Sequence, residues 1–262
     1  MGSSTPSPAS ITPGAFGALL ARYPSVIAAV SQAKGAKPGQ ETLVQLDTFR
    51  YTEAPATFSR TAGRAMTKPD VVKLVEWKLR HGKFRPTLMK LVESNSPEAV
   101  EELAKEAVSK YRSKVAETKG GVRLAGHVEA ALAAIKVLSA MKGIGPATAS
   151  LLAAVHFPKE CIFFGDEAYA WLAGGPSHAA PSKYNIKEYE GVARGMVQLL
   201  QRLPGEYGAQ DVEQVAYVLM YDKKQPAANQ SRNGKKRKEP PTDAAAVSSG
   251  GGVRRSSRHK SS

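Results

Sequence analysis

The stretch whose reading decides the fold is 138-LSAMKGIGPATASLLAA-154. Two glycines one residue apart, followed by a proline, interrupt two runs of otherwise helical character. Gly143 is placed to take the left-handed conformation that closes a helix without a Cβ penalty. Gly145 carries no side chain to hold a neighbouring backbone away. Pro146 suits the first position of a new helix, where its missing N–H is no loss. Ile144 is expected to pack inward and anchor the turn. The predicted product is a helix, a tight corner and a second helix. Bare N–H groups and the positive end of the second helix dipole make such a corner a phosphate site that reads no sequence. Lys142 and Thr148 stand where they can add contacts to the same phosphate. The plain alternative is an interhelical turn that is simply rich in glycine.

Working outward, the helical signal continues in both directions. "TKPDVVKLVEWKLRHG" offers Thr67 as N-cap and Asp70 three residues later, with Val71, Leu74, Val75, Lys78 and Leu79 at helical spacing. "SPEAVEELAKEAVSKY" opens with Ser96 as cap and Pro97 in the first turn. Leu124, Val128, Leu132, Ile135 and Leu138 form one apolar stripe, and "IKEYEGVARGMVQLLQRL" and "DVEQVAYVLMY" supply two further amphipathic helices. Only "CIFF" hints at a strand. The expected fold is an all-α globule over residues 14 to 222, flanked by disordered segments at 1 to 13 and 223 to 262. The last of these is too poor in large apolar side chains to offset the entropy of ordering.

The formal charge of +14 over 262 residues is unevenly spread: +9 falls on residues 223 to 262 and +5 on the rest. A basic balance favours encounter with a polyanion. Lys223 and Lys224, a ten-residue spacer, then Lys235, Lys236, Arg237 and Lys238 fit a two-part nuclear import signal. That pattern predicts a nuclear protein handled by the import machinery, although a solvated tail that binds polyanions loosely has the same composition. No apolar run approaches the roughly 20 residues of a membrane span, and the opening "MGSSTPSPASITPG" lacks the grammar of a secretory leader. The single Cys161 excludes an internal disulfide and a four-cysteine cluster, and the histidines show no metal-ligand spacing. A monomer without metal or cofactor is expected.

The hairpin stretch resembles the helix-hairpin-helix of the DNA glycosylase superfamily, whose hairpins read apolar-x-x-apolar-x-G-apolar-G-x-x-T/V-A. The upstream "LVEWKLRHGKFRPTL" resembles an uncharacterised eukaryotic branch with the same downstream hairpin. The resemblance covers residues 120 to 175 and implies a helix-hairpin-helix glycosylase-like globule. It casts Lys142, Gly143, Ile144, Gly145 and Thr148 as the set that grips duplex DNA through its backbone. It also implies a catalytic aspartate about 20 residues past the hairpin. Twenty residues lie between Gly145 and Asp166 in "CIFFGDEAYAWL". A carboxylate there would stabilise the positive charge that builds on the sugar as an N-glycosidic bond breaks. Gly165, Glu167 and Ala168 depart from the residues the family places around its aspartate, and Asp166 also fits the plain role of a helix N-cap. Family members that nick the strand carry a lysine two residues after the second glycine, where this chain has Ala147. The resemblance therefore implies base release alone, of the base-excision-repair type. A non-catalytic DNA-binding module or a protein-interaction scaffold on the same fold is the alternative.

Trp77 and Arg80, within "EWKLRHGKFRP", and Phe164 and Tyr169, flanking Asp166, are candidates for a base pocket or a second DNA surface, with Phe84 a further aromatic among the cations. The plainer reading of the same residues is a helix end and a core.

Overall fold

A computed structural model describes residues 5–59, 63–118, 124–175, 177–181 and 183–233, with the backbone alone at 124, 125 and 224–233. The described residues are helical, with no strand among them. The helices are α1 (Pro13–Lys34), α2 (Leu43–Thr48), α3 (Ala54–Phe58), α4 (Lys68–His81), α5 (Leu88–Glu93), α6 (Pro97–Glu117), α7 (Leu124–Leu138), α8 (Pro146–His156), α9 (Asp166–Leu172), α10 (Ile186–Leu200) and α11 (Ala209–Asn233). A π-helical turn, Phe49–Glu53, joins α2 to α3. Among the described residues the chain divides into two units after Gln225.

The hub of the first unit is α8. Its residues from Ala147 to His156 are all buried, so it has no polar face, as expected of a helix enclosed by others. The run "ATASLLAAV" makes that possible, because small side chains let α3, α4, α6, α7 and α10 pack closely around it. Val128, Ile135 and Leu138 of the expected α7 stripe are buried and Leu132 is half-buried, while the Leu124 side chain lies outside the described residues. Caps fall where the local chemistry puts them: Ser96 Oγ accepts from the Ala99 N–H at 3.2 Å, and the Thr67 N–H donates to Asp70 Oδ2 at 2.9 Å.

Two expectations need correction. Residues 5 to 12 are ordered, because Trp171 Nε1 donates to the Pro6 carbonyl at 2.9 Å and Arg202 donates to the Pro8 and Ile11 carbonyls. The last helix runs on to Asn233, past the boundary expected at 222. One helix, α1, is long and apolar enough to span a membrane by length and composition, with a mean hydropathy of 1.2. Here Phe16, Tyr23, Val26 and Ile27 of α1 enter the core, and Arg22 pairs with Asp222 at 2.8 Å.

The "CIFF" segment is buried and irregular and forms no strand. The Cys161 N–H donates to the Phe157 carbonyl at 2.8 Å, and the last two amides bond to side chains. The Phe163 N–H donates to Glu213 Oε1 at 2.6 Å and the Phe164 N–H to Ser150 Oγ at 2.9 Å. Ser150 is on α8, so this bond carries the chain back along α8 towards its N-terminus and delivers Asp166 beside the hairpin.

Candidate functional site

The corner between α7 and α8 has the expected geometry. Gly143 sits at φ +77, where a Cβ would lie 2.9 Å from Leu91 Cβ. Gly145 is the N-cap of α8 at φ −86, ψ 179, and open space surrounds the position of its missing Cβ. Ile144 is buried at 3% exposure and anchors the turn. Asn95 supplies a second anchor that sequence reasoning missed. Its amide accepts from the Lys142 N–H at 2.8 Å and donates to the Lys142 carbonyl at 3.0 Å.

The open side of this corner faces a cleft of about 310 Å³ lined by Gly143, Gly145, Pro146 and Ala147 on one wall and by Gly165, Asp166 and Glu167 on the other. Lys78, Lys83 and Arg85 line it too. The volume falls at the lower end of the range that suits a small organic ligand. Gly165, not Asp166, is the N-cap of α9, and Asp166 is its first helical residue. The half-buried Asp166 carboxylate accepts a hydrogen bond from Tyr184 Oη at 2.9 Å. Tyr184 holds a left-handed backbone, φ +51, unusual for a bulky residue. Its ring lies under the Arg85 guanidinium, 5.0 Å from the centroid. Burial first, then the neighbouring Asp166, push the Tyr184 phenol above its ordinary pKa, so it stays a donor.

Lys78 reaches the cleft from α4. Its Nζ donates to Thr148 Oγ1 at 2.7 Å. Among the described residues it forms no ion pair. Burial, reinforced by Arg85 and opposed by Asp166, lowers its pKa to about 8. Thr148 also lines the cleft, and its hydroxyl keeps a proton to donate. Its hydroxyl accepts from Lys78, its N–H donates to the Gly145 carbonyl at 2.9 Å, and the residue is buried. Lys142 is exposed but does not line the cleft.

The other candidates separate. Trp77 is fully buried and its indole N–H donates to Asp47 Oδ1 at 2.9 Å, which removes it from any base surface. Arg80 turns away from the cleft to the Gly35 and Glu41 carbonyls. Phe164 is buried in the cleft floor, and Tyr169 packs against it, 6.0 Å between centroids, outside the lining. Phe84 is instead the aromatic left in the open, 69% exposed between Lys83 and Arg85. Of the import-signal residues, Lys223 is exposed and Lys224 is described by backbone alone. Lys235, Lys236, Arg237 and Lys238 lie outside the described residues. Among the described residues no group of three or more His, Cys, Asp or Glu side chains could hold a metal ion. In comparison with known proteins, the chain matches no family model, no curated protein and no solved structure.

Proposed function

We propose that this is a nuclear DNA-binding protein of the base-excision-repair type that hydrolyses the N-glycosidic bond of a damaged or mismatched base. The supporting observation is that the open glycine corner, three cations and Asp166 share one cleft. The bare amides at Gly145 and Ala147 take the phosphate, since the first N–H groups of a helix have no partner within it. Lys83 and Arg85 hold the flanking backbone. Asp166, oriented by Tyr184, faces the sugar and stabilises its developing cation. To the exposed Phe84, between Lys83 and Arg85, falls the role of filling the gap left by an extruded base. The basic clusters from Lys223 onward serve nuclear import, and duplex DNA is the partner.

The test is release of a base from duplexes carrying a panel of damaged or mismatched bases, with abasic products exposed by hot alkali. Asp166→Asn is expected to lower release at least a hundredfold while duplex affinity changes less than threefold. The departures at Gly165, Glu167 and Ala168 favour a second reading, a binding module without catalysis. Under it, binding survives and no substrate in the panel yields abasic sites.

A further inference from the structure

An amine enters the cleft from α4, beside the first turn of α8. Lys78 sits on the apolar face of α4, in register with Val71, Leu74 and Val75. Its Nζ crosses to the first turn of α8 and bonds to Thr148, the residue after Ala147. A lysine drawn into the interior normally finds a carboxylate. Among the described residues the hydrogen-bond partner of Lys78 is a neutral hydroxyl, and the cleft around its amine opens to Asp166.

We propose that Lys78 is a covalent nucleophile of the cleft, forming an imine with the open-chain aldehyde of an abasic deoxyribose. This rests on the reading of the cleft as a DNA site. Hydrolysis of an N-glycosidic bond leaves a hemiacetal at C1′ in equilibrium with its aldehyde. The neutral Nζ adds its lone pair to C1′ and gives a carbinolamine. The carbonyl oxygen then departs as water, taking both amine protons, and a C=N bond remains. No oxidant or reductant enters. The amine is suited to this, because with a pKa of about 8 roughly a quarter of it is neutral at pH 7.5, against about a thousandth for an ordinary lysine.

The experiment incubates the full chain with a duplex holding one abasic site, adds sodium borohydride to reduce any imine to a stable amine, and maps the modified peptide by mass spectrometry. The expected result is a borohydride-dependent adduct on Lys78. Lys78→Arg, which keeps the charge without the nucleophile, should trap at least tenfold less at protein concentrations that saturate binding. An adduct mapped only to tail lysines or to Lys83 in the unmodified protein overturns the proposal, and that mapping does not depend on any variant folding. A complex whose affinity falls with Gly145→Trp but which yields no Lys78 adduct overturns this proposal alone. A duplex affinity indifferent to Gly145→Trp overturns the reading of the cleft as well.

Discussion

Lys78 has no structural need of its charge. An ammonium on the core face of a helix is desolvated, and a hydroxyl at 2.7 Å returns only part of the lost hydration. Its folded pKa of about 8 lies below the ordinary 10.5. The unfolded chain therefore binds the proton more tightly, and the cost of burial stands in full below pH 8. It is relieved as pH rises from 8 towards 10.5. Lys78→Met keeps length and removes the charge, so it should raise unfolding free energy by about 2 kcal/mol at pH 7. That gain should shrink by pH 10, as read from urea denaturation at both values. A variant less stable than the parent at pH 7 would mean that the amine holds the structure together. Stability gained with function lost is the signature of a residue kept for chemistry. The signal was present in the sequence, where Lys78 interrupts the apolar stripe of α4, but spacing alone does not say what a lysine on a core face meets.

The hairpin was legible because its physics is local. Glycine at a left-handed corner and proline at a helix start act on their own backbones, and the structure places Gly143 at φ +77 and α8 from Pro146. The two glycines nevertheless have different duties. Gly143→Ala meets both a positive φ and the Leu91 Cβ at 2.9 Å, and should cost about 2–3 kcal/mol of stability. Gly145→Ala meets neither, since its backbone is extended and its Cβ position open. It should leave stability within about 0.5 kcal/mol yet weaken duplex binding several-fold, because the new methyl stands where a phosphate would approach. Thermal melts and fluorescence anisotropy on the two variants separate the roles, and equal loss of stability in both would contradict this division. The "EWKLRHGKFRP" segment shows where local reading stops. Successive helical residues point about 100° apart, so one basic-aromatic run sends Trp77 to the core, Lys78 to the cleft and Arg80 to loop carbonyls. Asn95 and Tyr184 could not be found this way, because only tertiary packing brings them to the corner and to Asp166.

Across the molecule, buried polar side chains tie distant helices to the site. Arg50 and Glu213 form a buried ion pair at 3.0 Å, and the same Glu213 holds the Phe163 amide three residues before Asp166. Asp47 is a second such node, accepting from Tyr23 of α1 at 2.8 Å and from Trp77 of α4 at 2.9 Å. Burial, only partly offset by Trp77, Tyr23 and Arg50, lifts its pKa from 3.8 to about 6. The folded state thus keeps the Asp47 proton at pH values where the unfolded chain has released it. The contribution is fully present below pH 3.8 and is lost as pH rises to 6, a fall of about 3 kcal/mol in all. Asp47→Asn retains an acceptor for Tyr23 and Trp77 but cannot titrate. The stability of this variant relative to the parent should therefore rise by about 2 kcal/mol between pH 4.5 and pH 7. Urea denaturation at the two pH values measures that difference directly, and a relative stability that does not change with pH would show that Asp47 is already ionised throughout in the folded protein.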